Sequence, residues 1–319
     1  MKLLVTGGAG YIGSVVTALL LEAGHAVTVL DDLSTGHRDA VPPGASLVQA
    51  DLHDAGDVLD PSYDAVLHFA AKSLVSESMH HPGLYWRTNV SGTLALAEAT
   101  RRHGTGRMVF SSTAATYGEP ASSPVTETKP AVPTSPYGAS KLAADQMLQA
   151  WSQAYGLGVV SLRYFNVAGA HGRYGERHDP ETHLVPTLLR VAAGELDHAQ
   201  VHGTDYPTRD GSAIRDYLHV VDLADAHLRA LEQAGPGTFR VYNLGTGSGC
   251  TVREVLSAAR RVTGRPVPAV EGPRRPGDPA VLVASNERAR KELGWEARHG
   301  IDTIVGDAWS FVRGRGTGE

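Results

Sequence analysis

Gly7-Gly8-Ala9-Gly10-Tyr11-Ile12-Gly13 is the stretch whose reading decides the fold. It follows a short apolar run, Lys2–Thr6, that has the pattern of a buried strand, and it opens a helical pattern over Ile12–Ala23. Backbone bare of side chains at a helix start lets a pyrophosphate approach the unpaired N–H groups and the positive end of the helix dipole. The spacing of Gly7, Gly10 and Gly13 is GxxGxxG, which departs from the GxGxxG fingerprint. Taken alone, such a turn also fits an ordinary tight corner, so the surrounding pattern has to decide.

That pattern alternates. Ala26–Asp31, Ser46–Gln49, Ala65–Phe69 and Arg107–Ser112 have the composition of strands, the last two separated by a long helix from Gly83 to about His103, with Pro82 near its start. Leu142–Tyr155 is expected to be the next helix and Val159–Tyr164 the next strand. The alternation predicts an α/β fold, a Rossmann-type doubly wound parallel sheet with helices on both faces. Asp31 ends the second strand, where a carboxylate accepts hydrogen bonds from a ribose 2′-OH and repels the extra phosphate of NADP. NAD is therefore the expected cofactor.

From Gly169 onward the pattern changes, with Gly169–Pro180 and Gly203–Ser212 rich in glycine, proline and charge. A smaller mixed α/β substrate domain is expected there. On this reading residues 1–168 form the cofactor domain, 214–246 return to it, and 169–213 with 247–319 form the smaller one. Ile214–His219 and Phe239–Leu244 are expected strands, Asp222 an N-cap for a helix through Leu231, and Arg313–Glu319 a frayed end.

The 319 residues, 42% hydrophobic and 20% charged, suit one or two domains with a substantial core. A formal net charge of -5 gives no electrostatic reason to expect nucleic acid or an acidic membrane surface. No run reaches the roughly 18 apolar residues of a membrane span, and Met1–Val5 runs into glycines without a leader pattern. The single cysteine, Cys250, excludes an internal disulfide and a cysteine-rich metal site, and fits a reducing cytoplasm. Nothing in the spacing of the 15 histidines suggests a metal cluster, so no metal is expected.

The chemistry concentrates in Tyr137-Gly138-Ala139-Ser140-Lys141. A tyrosine and a lysine four apart on a helix share one face. A free phenol has a pKa of about 10, and a nearby ammonium stabilises its phenolate, giving a base near neutral pH. Val109-Phe110-Ser111-Ser112-Thr113 ends a strand in hydroxyls, and strand C-terminal ends face the ligand crevice of an open α/β sheet. A hydroxyl there can hold a substrate alcohol while the phenolate takes its proton. The segment 118–136, rich in proline and serine, has the composition of a cover over this site. Asp51-Leu52, after the third strand, suits either an adenine contact or a plain loop acid and core leucine. Phe69-Ala70-Ala71 offers the small residues that a segment beside a cofactor needs, and Asn89 lies inside the long helix.

Thr6 to Gly13, Asp31-Asp32-Leu33-Ser34-Thr35-Gly36, His68-Phe69-Ala70-Ala71, the Tyr137–Lys141 segment, Arg163-Tyr164-Phe165-Asn166 and Arg215-Asp216-Tyr217-Leu218-His219-Val220 together resemble the extended short-chain dehydrogenases/reductases. Gly203-Thr204-Asp205-Tyr206-Pro207-Thr208 and Arg275-Pro276-Gly277-Asp278 make the chain most similar to the UDP-glucose 4-epimerases within them. The resemblance runs in order over nearly the whole chain. It implies inversion at C4 of a UDP-hexose (UDP-glucose and UDP-galactose) by transient hydride transfer to tightly bound NAD through a 4-keto intermediate.

The resemblance also implies roles. Tyr137 is the base, Lys141 holds the nicotinamide ribose, and Thr113 takes the place of the catalytic Ser/Thr. Cofactor contacts fall on Gly7, Gly10, Tyr11, Ile12 and Gly13, on Asp31, Asp32, Leu33, Ser34, Thr35 and Gly36, and on Asp51 and Leu52. They continue through Phe69, Ala70, Ala71, Lys72, Asn89, Ser111, Tyr137, Lys141 and Tyr164. Substrate contacts fall on Thr113, Tyr137, Phe165, Asn166, His183, Leu184, Val201, His202, Arg215, Arg275 and Asp278, the two arginines clamping phosphates. His183 stands where an asparagine is frequent, and Lys72 lies one place before a cofactor-contacting lysine. Ala114-Ala115 follow Thr113 where dehydratases and decarboxylases need an acid, so neither chemistry is expected. Leu282 aligns with a pocket-size position and is intermediate, which keeps open a 4-epimerase of a UDP-N-acetylhexosamine or UDP-pentose. A non-catalytic NAD-binding regulator is a third reading. A homodimer through the helices around 83–103 and 142–155 is implied as well.

Overall fold

The strand Lys2–Thr6 (β1) has Leu3, Leu4 and Val5 fully buried, so it belongs in the middle of a sheet covered on both faces. The computed structural model, which describes residues 1–275 and 277–316, places it there. β2 (Ala26–Asp31), β3 (Ser46–Gln49), β4 (Ala65–His68), β5 (Arg107–Thr113) and β6 (Gly158–Tyr164) join it, with the strand Phe239–Leu244 at the far edge. The order is Phe239–Leu244, β6, β5, β4, β1, β2, β3, all pairs parallel.

Side chains alternate across this sheet. Leu3, Val5 and Val109 face a core shared with Val15 and Val16 of the helix Tyr11–Glu22 (α1) and with Leu223 and Leu231 of the helix Val220–Gln233. Leu4, Met108 and Phe110 face the opposite core, with Leu96 of the helix Thr93–His103 and Leu148 of the helix Pro136–Tyr155. Each of these side chains contributes about 1.5–3 kcal/mol by leaving water. The chain runs from β1 to β2 and β3 on one side, then crosses back to β4 on the other. That reversal opens a crevice at the C-terminal ends of β1 and β4.

The expected long helix is present but not uniform. Pro82–Tyr85 and Thr93–His103 are α-helical, and Trp86–Gly92 between them is a π-helix, a geometry that occurs often at functional sites. The Tyr137 helix starts earlier than expected, at Pro136, because the Ser135 hydroxyl caps it by accepting from Gly138 N. Helix Ile301–Gly316 continues through residues expected to fray, and 317–319 lie outside the described residues.

The smaller unit packs helices Leu184–Ala193, Val252–Thr263 and Ile301–Gly316 around Val185, Leu188, Val255, Ala258, Ile304 and Val305. Two readings are corrected here. Ile214–His219 is two strands: Ile214–Arg215 pairs with Cys250–Thr251 and Val281–Leu282 of the smaller unit, and Tyr217–His219 pairs with Asn166–Ala168. Asp222 does not cap its helix. His219 does, accepting from Val221 N, while Asp222 accepts from the backbone of Arg298 and His299. Among the described residues no helix is long and apolar enough to cross a membrane.

Asp216 marks the strand break. It is fully buried, and its carboxylate accepts from Thr246 N (2.7 Å), Thr246 Oγ1 (2.6 Å), Gly247 N (3.0 Å) and Ala284 N (3.1 Å). Asp216→Ala would leave the buried Ala284 N–H and the more exposed N–H groups of Thr246 and Gly247 without their acceptor, so we expect a loss of roughly 1–3 kcal/mol. Thermal unfolding checks this, and an unchanged transition would contradict it.

Candidate active site

The crevice is built by close backbone approach. Gly7 adopts φ +72°, and a Cβ on it would sit 2.5 Å from Ala70 N; one on Gly13 would sit 2.1 Å from Gly7 O. No side chain fits at either place. Gly10 caps α1 without a side-chain hydrogen bond, which leaves the first-turn N–H groups for an anion. The Asp31 carboxylate accepts from Ala9 N and Leu33 N, each at 2.9 Å, tying the glycine turn to the end of β2. Burial pushes its pKa up from the ordinary carboxylate value, against those two donors.

Asp32 accepts from Ser34 N at 2.8 Å, and Ser34 Oγ in turn accepts from Lys72 Nζ at 3.2 Å. Lys72 therefore reaches the loop after β2. Leu33 takes a positive φ of 59°, Gly36 packs against the Asp31 carboxylate, and Thr35 is exposed. Asn89 is fully engaged within the protein. Its Oδ1 accepts from Lys72 N at 2.8 Å, and its Nδ2 donates to Lys72 O and Ser140 Oγ, each at 3.0 Å. The π-helical segment thus braces the loop after β4 against the Tyr137 helix. Asp51 caps its own short turn by accepting from His53 N, and Leu52 is buried against Gly92.

At the reacting centre, Thr113 Oγ1 accepts from Ala115 N at 3.1 Å, so its proton is directed elsewhere. The Tyr137 hydroxyl lies beside it. Burial raises the Tyr137 pKa, and the Thr113 hydroxyl lowers it. Tyr85 packs edge-on against the Tyr137 ring, centroids 6.2 Å apart. One turn on, Lys141 is 3% exposed with its ammonium 4.4 Å from the Phe110 ring centroid. Burial lowers its pKa to about 8, and the Asp145 carboxylate opposes that shift.

Sequence reasoning missed the groups behind this pair. Asp145 accepts from Arg163 Nε (3.0 Å) and Nη2 (2.9 Å), Ser112 Oγ (3.1 Å) and Ser161 Oγ (2.5 Å). The signal for it was available, since it stands four residues beyond Lys141. His227 was also missed. Its Nδ1–H donates to Leu223 O at 2.9 Å, so Nε2 accepts from Ser111 Oγ at 3.0 Å, and burial lowers its pKa to about 4. Ser111 in turn stands beside the Tyr164 hydroxyl. Nothing in the sequence near His227 pointed to this contact.

The expected substrate residues form two groups. Arg215 and Asp278 are ion-paired, Asp278 N donates to Arg275 O at 3.2 Å, and Tyr206 Oη donates to Asp278 O at 3.3 Å. His202 adjoins them; burial and the Arg275 guanidinium hold it below its ordinary pKa, while Val201 beside it is buried. Phe165 is buried in a small apolar cluster with Ala114, Tyr117 and Val125, and Leu282 packs against it. Asn166 is exposed at the start of its strand. His183 caps the helix that begins at Leu184, and its ring meets Glu176 and Glu181 rather than the Arg215 group. The expectation of no histidine cluster fails here: one ligand atom each from Glu176, His178, Glu181 and His183 lies within 4.8 Å of the others.

A parallel sheet with a glycine cradle at its switch point, and a Thr–Tyr–Lys set beside it, define a dinucleotide-binding protein of the short-chain dehydrogenase/reductase class. The chain belongs to the NAD dependent epimerase/dehydratase family, whose profile matches residues 3–245. A UDP-glucose 4-epimerase of Corynebacterium glutamicum is 51% identical over 319 residues, covering 99% of this chain and 97% of its own. The crystal structure of UDP-glucose 4-epimerase from Brucella ovis in complex with NAD superposes with a TM-score of 0.93 at 44% identity, over 97% of this chain and 98% of that one. The UDP-glucose-4-epimerase from Stenotrophomonas maltophila, with bound NAD and formylated UDP-arabinopyranose, gives 0.96 at 39% identity and full coverage of both chains.

The Lys141 shift has a measurable consequence. The unfolded chain keeps this proton up to about 10.5 and the folded chain only to about 8, so between those values the unfolded state binds more protons and stability rises with pH. In nucleotide-free protein at pH 7, Lys141→Met should therefore be more stable than the parent, by up to about 3 kcal/mol. Asp145 keeps its four donors in the variant. Urea unfolding should show that gap closing between pH 8 and pH 10.5. A gap that widens would refute the assignment.

Proposed function

We propose that this chain inverts C4 of a UDP-hexose, interconverting UDP-glucose and UDP-galactose with NAD retained throughout. One observation carries the reading: Thr113, Tyr137 and Lys141 stand at the switch-point crevice, and the residues after Thr113 are alanines. Such a site can move one proton at one carbon, and it has no acid for elimination or decarboxylation. The relatives' names and bound ligands support the same reading.

The residues present fit NAD. The cradle at Gly7 and Gly13 is too tight for any Cβ, and α1 presents an uncapped N-terminus to the pyrophosphate. Asp31 stands at the end of β2 for the adenosine ribose, and Lys72 with Ser34 borders the same loop. The chemistry that NAD supplies when bound is acceptance and return of hydride at the sugar C4. Tyr137 takes the C4 hydroxyl proton and later gives it back. Thr113 donates its hydroxyl proton toward that oxygen pair, and Lys141 favours the phenolate. Arg215 and Arg275 hold the nucleotide end through charge-assisted bonds, so the sugar is anchored at its far end and can present either face.

Homodimerisation through one surface goes with this reading. Among the described residues, five of the nine large hydrophobic side chains left exposed lie between Val75 and Leu94, Met79 (58%) and Trp86 (44%) among them. A cytoplasmic setting suits a chain with a single cysteine.

Two experiments test these statements. Purified protein incubated with a panel of UDP-sugars, no cofactor added, should yield UDP-galactose from UDP-glucose, and Tyr137→Phe should lower kcat by about 10²- to 10⁴-fold. Full activity in that variant, or preferred turnover of a pentose or N-acetylated sugar, would overturn the mechanism or the substrate respectively. Light scattering on a Met79→Glu variant should show monomers where the parent is a dimer; an unchanged mass would place the interface elsewhere.

A further inference from the structure

We propose that Glu176, His178, Glu181 and His183 form a closed binding site for one zinc-class divalent cation. The four residues sit in the segment between the hairpin of Ala170–His171 with Tyr174–Gly175 and the helix Leu184–Ala193. They lie within seven positions of one another in sequence, and the segment folds back so that all four converge.

Three observations carry the assignment. The donor atoms already converge, all four lying within 4.8 Å of one another. His183 Nδ1 lies 2.9 Å from Glu176 Oε1 and 2.8 Å from Glu181 Oε1, and His178 Nδ1 lies 2.8 Å from Glu176 Oε1. A tetrahedral zinc ion with bonds of 2.0–2.1 Å separates its ligand atoms by about 3.3 Å. The hydrogen-bonded pairs would open by about half an ångström and the wider pairs, within 4.8 Å, would close to admit the ion. Next, the two carboxylates are nearly closed off from water, with side chains 7% and 6% exposed, so their charge needs a counter-charge at this spot, which the paired imidazoles supply when protonated and a divalent cation would supply in their place. Finally, Glu176 Oε2 is buried with no hydrogen-bond partner, so a coordinating oxygen is left over after the histidines are bound.

The donor set selects the ion. Two imidazoles disfavour magnesium and calcium, which take oxygen ligands. Four protein ligands leave no open position for a reacting water, so the cation is structural. Its position gives it a job. His183 caps the helix that starts at Leu184, while Arg177, between two of the ligands, makes two 2.7 Å bonds to Asp39 in the segment after β2. A cation gripping both sides of Arg177 would lock this segment between the cofactor side and the substrate side of the crevice.

The test needs no activity assay. Tag-free, chelator-treated full-length protein is titrated with ZnCl2 by calorimetry. After desalting, bound metal is counted by mass spectrometry and thermal unfolding is recorded. We expect one zinc per chain and a Tm raised by several degrees. In His178→Ala and Glu181→Gln, zinc affinity should fall at least tenfold and the Tm rise should vanish, while bound NAD and circular dichroism stay as in the parent. If the alanine variant fails to fold, His178→Gln and the visible spectrum of Co2+-loaded parent protein replace it, a tetrahedral spectrum being expected. No zinc retained by the parent, an octahedral cobalt spectrum, or zinc retained equally by the variants would each overturn the proposal.

Discussion

The Asp145 carboxylate is the interaction on which the rest of the site depends. It is a buried negative charge that collects donors from β5 (Ser112), β6 (Ser161, Arg163) and sits on the helix carrying Tyr137 and Lys141. Three elements are thereby fixed in mutual register by one group. It also supplies the field that makes a nearly buried Lys141 tolerable. A buried cation with no partner would neutralise itself by losing its proton. Arg163 extends the arrangement to Tyr117 and, through Tyr117 Oη, to Asn243 on the edge strand. Removing one member of such a buried set leaves the others uncompensated, typically at a cost of about 3–5 kcal/mol.

Much of the fold was legible because its signals are local. β1 through β3 are bounded as the apolar runs suggest, most clearly β1, since a parallel strand buried on both faces has few other ways to look. The glycine turn was legible for the same reason, its steric demand being written into three residues. What escaped was decided at long range. Asp216 breaks a strand because its acceptors are wanted by Thr246, Gly247 and Ala284, all far off in sequence. Asp222 had the composition of a cap but is drawn off by the backbone at Arg298 and His299.

The site shows the same division. That Tyr137 and Lys141 share a helix was readable from spacing, because a helix puts i and i+4 on one face, and Thr113 from its place at a strand end. His227 was not, because its relation to Ser111 spans 116 positions and depends on which ring nitrogen carries the proton. Asn89 was placed correctly along the chain, yet its amide is committed to Lys72 and Ser140, a bracing role that no helix-face argument reveals.

The Thr113 hydroxyl carries one further consequence. With the Ala115 amide donating into it, its own proton is left for the Tyr137 oxygen beside it. A hydroxyl in water must reorient its neighbours each time charge develops beside it, whereas a dipole held by backbone has been aligned beforehand. The reorganisation energy is incurred once, when the strand end folds, and not at every turnover. For a reaction that must run equally well in both directions, a fixed dipole has the added merit of favouring neither face of the sugar.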